Sequence, residues 1–471
     1  MKHVLSTALA LLVTTLPMHV MAQPAPAPTP AVADTDPGIL ADIGKITDPA
    51  ELTQLVAYFR QAKDTTAELA ALDRRIALRP HLGAYRFDKA VTLAREDRKS
   101  EAYTALIELQ NTGYGYDLHD DERFAKIATT EVWQYIVDNF DANRQAFGIT
   151  SLAYTLPRED LLLESLAWDS SRGKLLVGSA REGKVYVAET DGSIKPLAST
   201  DADNGMWAVF DLAVDAQRGF LWVASSAVPH FRDYDAEKDM GRAGIFKFDL
   251  ASGKFIERFL SPPMQSGQAF MLTSIVVAAD GSVYAADGVN RAIYQVRDGQ
   301  FRRILHLPML TSISALAISA DGKKLYFADP QLGILGSDLG TLKLFDVRVP
   351  PKLTLEGIGA MAWYNDALIA VQPGMEPKRV MRLSLSPEGD AIAKVQPLAA
   401  NDPQFDRPGA VTLDGASVYL VANDQKDNYD RFGLLKDKTR LQGTRVLKLD
   451  ARFEPADPQH LGPLNFGQSQ N

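Results

Sequence analysis

Between Ser151 and about Asp450 one phrase recurs six times: an apolar strand, a tight turn, and a second apolar strand. The copies are LESLAWDSSRGKLLVGS, VFDLAVDAQRGFLWVAS, LTSIVVAADGSVYAAD, ISALAISADGKKLYFAD, IGAMAWYNDALIAVQ and RPGAVTLDGASVYLVAN. Their turn residues are Gly173, Gly219, Gly281, Gly322, Asn365 and Gly415, giving intervals of 46, 62, 41, 43 and 50 residues. The long interval carries an insertion, Ser226 to Ala243. A unit of about 40–50 residues that forms a small antiparallel sheet cannot bury both faces alone, and radial stacking solves that problem. The repeat therefore predicts a mainly β fold, a six-bladed β-propeller spanning residues 149–455. Third strands are expected at KVYVAE, AGIFKFDL, AIYQV, TLKLFDV, RVMRLSL and TRVLKLD. A ring also needs one strand to join its ends, and Ser151–Leu156 is placed to complete the last blade.

Upstream the apolar period becomes helical. Leu52, Leu55, Val56 and Phe59 follow i, i+3, i+4, i+7. Asp48 is a plausible N-cap with Pro49 at the first helical position. Further helices are expected at Thr65–Leu78, Ala84–Arg95, Ser100–Asn111 and Thr130–Phe140, within an α-helical domain of residues 37–148. The stretch AYRFDKAVTLAREDRKSEAYTALIEL, with Ala90, Leu93, Ala102 and Leu106 at its small and large apolar positions, resembles tetratricopeptide repeats. That resemblance implies a concave groove for peptides or partner proteins; a helical cap supporting the propeller is the other reading. This domain is expected near the seam where the ring closes.

The first 22 residues carry Lys2, an apolar run from Val4 to Leu16, and Val20-Met21-Ala22 as a cleavage site, the pattern of a secretory signal. Residues 23–36 (QPAPAPTPAVADTD) read as a Pro/Ala-rich tether, and 456–471 as a C-terminal tail. The expected location is periplasmic or secreted, and no later segment has transmembrane length. With no cysteine there are no disulfides, thiolate zinc sites or Cys nucleophiles. A formal charge of −9 argues against nucleic acid as a partner.

The segments LLLESLAWDSSRGKLLVGSAREGKVYV and SADGKKLYFAD resemble the senescence-marker-protein/gluconolactonase-like family of six-bladed lactonases, over about residues 150–450. The resemblance implies a metal-dependent lactone or ester hydrolase. Its calcium or magnesium would be held by a Glu, two Asn and an Asp, each starting the inner strand of a different blade. The matching positions here are Glu164, Thr273, Ser314 and Gly359. Two neutral hydroxyls and a glycine supply neither the charge nor the metal-bound base that such chemistry needs. No cofactor is therefore predicted, and a divalent cation (Ca or Mg) enters only with the hydrolase alternative.

Other catalytic signatures are missing: the chain has no G-x-S-x-G, H-E-x-x-H, Walker A loop or G-x-G-x-x-G. Trp168, Trp222 and Trp363 sit at inward strand positions and read as core. The acidic stretches Asp201–Gly205 and Asn423–Asp430 read as solvated loops. In a propeller the loops entering inner strands share one rim with those joining second to third strands. The longest of the latter are Ser226–Ala243 and Asn423–Gly443, and long loops on one rim commonly carry function. The ligand-binding candidates on this rim and the channel mouth are Glu164, Trp207, Asp211, His230, Arg232, Tyr234, Asp406 and Arg407. The expected function is binding of a protein partner or small polar ligand. The alternatives are the hydrolase and a structural component of an envelope assembly.

Overall fold

The structure, a computed structural model, describes residues 35–262 and 269–454. The expected signal, nearly all of the tether and the C-terminal tail lie outside the described residues. The six inner strands are Leu163–Asp169, Ala208–Asp215, Leu272–Val277, Ala315–Ile318, Ala360–Tyr364 and Val411–Asp414. Each packs beside the next, and the sixth packs against the first, so the ring is closed. Every blade is antiparallel and four strands wide, apart from the fifth, which gains Phe147–Gly148 on its outer edge through Phe147↔Ala400. The sixth blade is completed by Ser151–Thr155, paired Leu152↔Leu447 and Tyr154↔Val446. One blade thus contains both ends of the propeller sequence, with the closing strand as its outer edge.

All six turn residues that mark the repeat adopt positive φ: 61° at Gly173, 71° at Gly219, 90° at Gly281, 68° at Gly322, 43° at Asn365 and 55° at Gly415. Glycine reaches that region without strain and asparagine more readily than most residues, which is why the repeat is punctuated by these two types. Blade four departs from the expected pattern. Its third strand is Gly333–Asp338, and the expected third strand TLKLFDV supplies the fourth, Leu344–Asp346. GILGSD has low intrinsic strand preference, but Gly336 is needed there, since a Cβ would lie 2.2 Å from the Phe345 ring.

The propeller core is not one mass but six layers, each between neighbouring blades. Val223 and Leu176 share one layer, Ala285 and Ala224 the next, and Phe327 and Ile293 the third. Tyr326 with Leu368, Ile369 with Leu420, and Val177 with Val446 fill the remaining three. Trp168 stacks on Tyr419 across the closure (centroids 5.1 Å apart, 3° between planes), and Trp363 on Tyr326 between blades four and five.

Among the described residues six α-helices precede the ring: Pro37–Lys45, Pro49–Ala62, Thr65–Leu78, Gly83–Arg95, Lys99–Asn111 and Glu131–Asn143. Asp48 caps the second as its sequence suggests, accepting from the Ala50 N–H. Consecutive helices pack around Leu52, Leu72, Leu93, Leu106 and Phe140. This region does not sit on the closure seam. It docks on the rim of blades four and five, where Met375 enters the helical core. Gly83 N–H donates to Glu356 Oε2 at 2.9 Å, and Tyr114 donates to the same carboxylate. The Thr354 hydroxyl reaches His81 O at 2.8 Å, and the Leu355 N–H reaches His81 Nδ1 at 3.3 Å. Arg379, fully buried, donates to Gln372 and Thr354 and on to Thr112 O of the helical region. The sequence of blade five is thus adapted to carry the helices. No helix among the described residues is long and apolar enough to cross a membrane.

Candidate channel-mouth site

The inner strands leave a central channel of about 570 Å³. In blades one, two and three the pairing slips at Glu164, Phe210 and Thr273. A bulge turns the extra residue out of the ladder, and all three side chains line the channel. Glu164 is the charged member of this set. Its Oε2 meets Lys426 Nζ at 2.9 Å, with the Glu164 side chain only 6% exposed.

Lys426 arrives from the long blade-six loop, and its approach is built locally. Asp424 Oδ1 accepts from the Lys426 N–H at 3.0 Å, and Gln425 takes φ 60° to turn the chain. The base of the loop is stapled twice. Asn423 accepts from the Arg445 N–H and donates to Gly443 O, while Gln425 exchanges bonds with the Gln442 backbone. Arg407, also in the channel wall, joins the cluster through Asp424 Oδ2 at 3.0 Å and Asp427 Oδ1 at 3.1 Å. Burial raises the Asp424 carboxyl above the usual range against the pull of Lys426 and Arg407. Burial works against the Lys426 ammonium, but Glu164 and Asp424 hold it above the ordinary lysine range.

The expected cation-ligand positions are otherwise engaged. The Thr273 hydroxyl donates to Ile313 O at 2.7 Å, and the Ser314 hydroxyl to Ile358 O at 2.6 Å. Gly359 has no side chain, and a Cβ there would lie 2.8 Å from Pro373. Calcium or magnesium wants about six oxygen ligands. This set offers one carboxylate that already faces an ammonium, and two hydroxyls aimed at backbone carbonyls. Among the described residues no three His, Asp or Glu side chains form a group that could hold a metal. The residues present do not fit the divalent cation that the resemblance implies.

Asp211 lies in the channel wall, where it links blades rather than facing the mouth. Its Oδ2 accepts from Ser274 Oγ at 2.9 Å and Ile275 N–H at 2.8 Å, and its Oδ1 from Leu212 N–H at 2.9 Å. Ser274 in turn accepts from the Leu316 N–H at 3.1 Å, so blades two, three and four are tied in series. Burial pushes the Asp211 carboxyl up to about 6 despite these donors.

Over blade one the two long loops meet. Arg181 Nη1 donates to His230 O at 2.6 Å and Gly433 O at 3.0 Å, and Arg181 also forks onto Asp160. Tyr429 donates to Asp160 Oδ1 at 2.6 Å, and Arg232 adds a bond to Glu182 at 2.6 Å. Burial opposes ionisation of Asp160, yet Arg181 and Tyr429 hold its carboxyl below the usual range. Gly433 is required at this crossing, since a Cβ would lie 2.3 Å from Pro229 O. The result is a strap from blade six to blade two, with the helical region standing opposite on blades four and five.

The sequence candidates separate accordingly. Glu164, Asp211 and Arg407 line the channel. His230 is in the strap, its ring 6.0 Å from that of Tyr429, and burial lowers its pKa while the Glu164 charge works the other way. Arg232 belongs to the strap's outer bonds. Trp207 does not reach the mouth: it is buried, its Nε1 donates to Asp239 at 3.0 Å, and it packs on Phe246. Tyr234 packs on the apolar layer between blades one and two, and Asp406 is exposed outside the channel wall. The stretch from Asn423 to Asp430 is more than a solvated loop, since Asn423, Asp424 and Tyr429 are buried. Lys426, Asp424, Arg181, Asp160 and Tyr429 were not candidates from sequence. Glu164 and Lys426 stand 262 positions apart and become neighbours only when blade six closes onto blade one.

Residues 207–343, from just before blade two to just before the last strand of blade four, match the family model described as major royal jelly protein. No curated protein matches the chain. Among solved structures it is similar to a gluconolactonase from Xanthomonas campestris, with 15% identity, 64% of this chain and 89% of that one covered, and a TM-score of 0.42. It is similar also to the calcium-binding protein regucalcin from Agrobacterium tumefaciens, at 14%, 64%, 96% and 0.42 by the same measures. Virginiamycin B lyase from Staphylococcus aureus gives 16%, 59%, 82% and 0.41. At such identities the likeness is one of fold.

Proposed function

We propose that this chain is an exported binding protein whose channel mouth takes up a small polar ligand, with the strap and the helical region as its walls. The observation that carries the reading is the mixed charge cluster at the mouth. Lys426 and Arg407 are cations fixed at a channel opening, and among the described residues the Lys426 ammonium meets one carboxylate, which leaves it donors for a ligand. Apolar and small residues below, such as Ala315, Ala360 and Ala410, leave room for a ligand body. A second groove of about 310 Å³ on the helices, bordered by Asp73, Arg86, Lys89 and Glu101, suits a peptide and supports the tetratricopeptide-like reading.

The test is a thermal-shift screen of sugar acids, amino acids and short peptides, followed by calorimetry on hits. A hit that binds wild type and weakens about tenfold or more in Arg407→Ala, the loss of a charge-assisted contact, supports the mouth as the site. A hit indifferent to that change places binding elsewhere. The hydrolase reading rests on Glu164 standing at the mouth. Lactone hydrolysis that requires added calcium or magnesium and disappears in Glu164→Gln would establish it over binding.

A further inference from the structure

A carboxylate at a largely enclosed channel mouth needs a counter-charge, because an unpaired buried ion is costly. The two most enclosed carboxylates of the mouth are Glu164 and Asp424, whose side chains are 6% and 8% exposed. Glu164 faces the Lys426 ammonium at 2.9 Å, and Asp424 binds the backbone of Lys426 itself. The remaining inner-strand positions of the expected cation shell, Thr273, Ser314 and Gly359, contribute no charge, and both hydroxyls donate to backbone carbonyls. The Lys426 side chain is 44% exposed, and it reaches the mouth from a loop that is closed at its base. The side chains of Asn423 and Gln425 close the base of its loop, and Tyr429 anchors the loop to Asp160.

We infer that the Lys426 ammonium is a tethered replacement for a divalent cation at the channel mouth. The charge a metal ion would bring to Glu164 is supplied by the chain itself, at a fixed place. What changes is the chemistry on offer: an ammonium gives hydrogen-bond donors and one positive charge, where a divalent ion gives a Lewis acid and open coordination positions. This inference is independent of the ligand reading, since Lys426 can balance Glu164 whether or not the mouth binds anything else.

Calcium titration by calorimetry and urea unfolding of the full chain test it, using wild type, Lys426→Met, Lys426→Gln and the double variant Glu164→Gln/Lys426→Met. Wild type is expected to show no saturable calcium heat into the millimolar range. The single variants leave the Glu164 carboxylate without its counter-charge and are expected to unfold at lower urea than wild type, and the double variant, which removes that charge, is expected to recover towards wild type. Stoichiometric calcium on wild type would overturn the inference whatever the variants do. So would single variants as stable as wild type, or a double variant no more stable than Lys426→Met.

Discussion

At the scale of single residues, the channel wall holds a titrating group whose sign is opposite to the common carboxylate case. The folded chain holds the Asp211 proton up to about pH 6, against an ordinary value near 4. Its contribution to stability is therefore full below about pH 4 and is lost as pH rises through about 6. Asn at this position has no such dependence. The stability advantage of wild type over Asp211→Asn in urea unfolding is expected to shrink by up to about 3 kcal/mol between pH 4 and 7. A constant difference across that range would mean that Asp211 is ionised throughout. His81 slopes the other way: burial, with a smaller push from Arg86, lowers its pKa to about 4. Stability from neutral His81 is full above about pH 6.5 and is lost as pH falls towards 4. His81→Asn keeps an acceptor for the Leu355 N–H, and its unfolding should lose this acid sensitivity. An unchanged pH profile in that variant would remove His81 from the explanation.

At the scale of elements, two joints hold the molecule in shape. The closing strand buries Tyr154 and carries Leu156 into the layer between blades six and one. Tyr154→Ala is expected to cost about 3–5 kcal/mol by chemical denaturation, as for other buried aromatics, and to open the ring at its seam. A cost under about 1 kcal/mol, the level of an ordinary surface change, would show that closure rests elsewhere. The second joint is the docking of the helices. A Cβ at Gly83 would lie 2.3 Å from the Tyr114 ring, so Gly83→Ala must displace the tyrosine that donates to Glu356. It should destabilise by about 1–3 kcal/mol and raise proteolytic nicking between residues 79 and 83; resistance equal to wild type would contradict the docking role.

These elements also show what a sequence can carry. The six turns, the closing strand Ser151–Thr155 and the helix Thr65–Leu78 were legible because each depends on local preference: positive φ, period two, period 3.6. The third strand of blade four was misplaced because GILGSD is recruited by packing against Phe345 and not by its own preference. The docking position was not legible, since Glu356, Arg379 and His81 are unremarkable alone and meet only across the domain contact. The same holds at the mouth. Glu164 could be placed by counting from its turn, whereas Lys426 could not, because its loop looked like a charged surface turn and its partner lies in another blade.

At the scale of the whole molecule, closure turns a linear repeat into a site. It brings blade six beside blade one, lets the strap reach blade two, and sets Lys426 and Arg407 at the opening of the channel. The helical region occupies the facing part of the same rim. The proposed function is binding of a polar ligand at this mouth through the chain's own charges and without a metal. Native mass spectrometry of the purified full chain, mixed with hits from the ligand screen in EDTA, tests that claim directly. A one-to-one complex that persists in EDTA and is lost in Arg407→Ala is expected. A complex that forms only when calcium or magnesium is restored, and depends on Glu164, would contradict it.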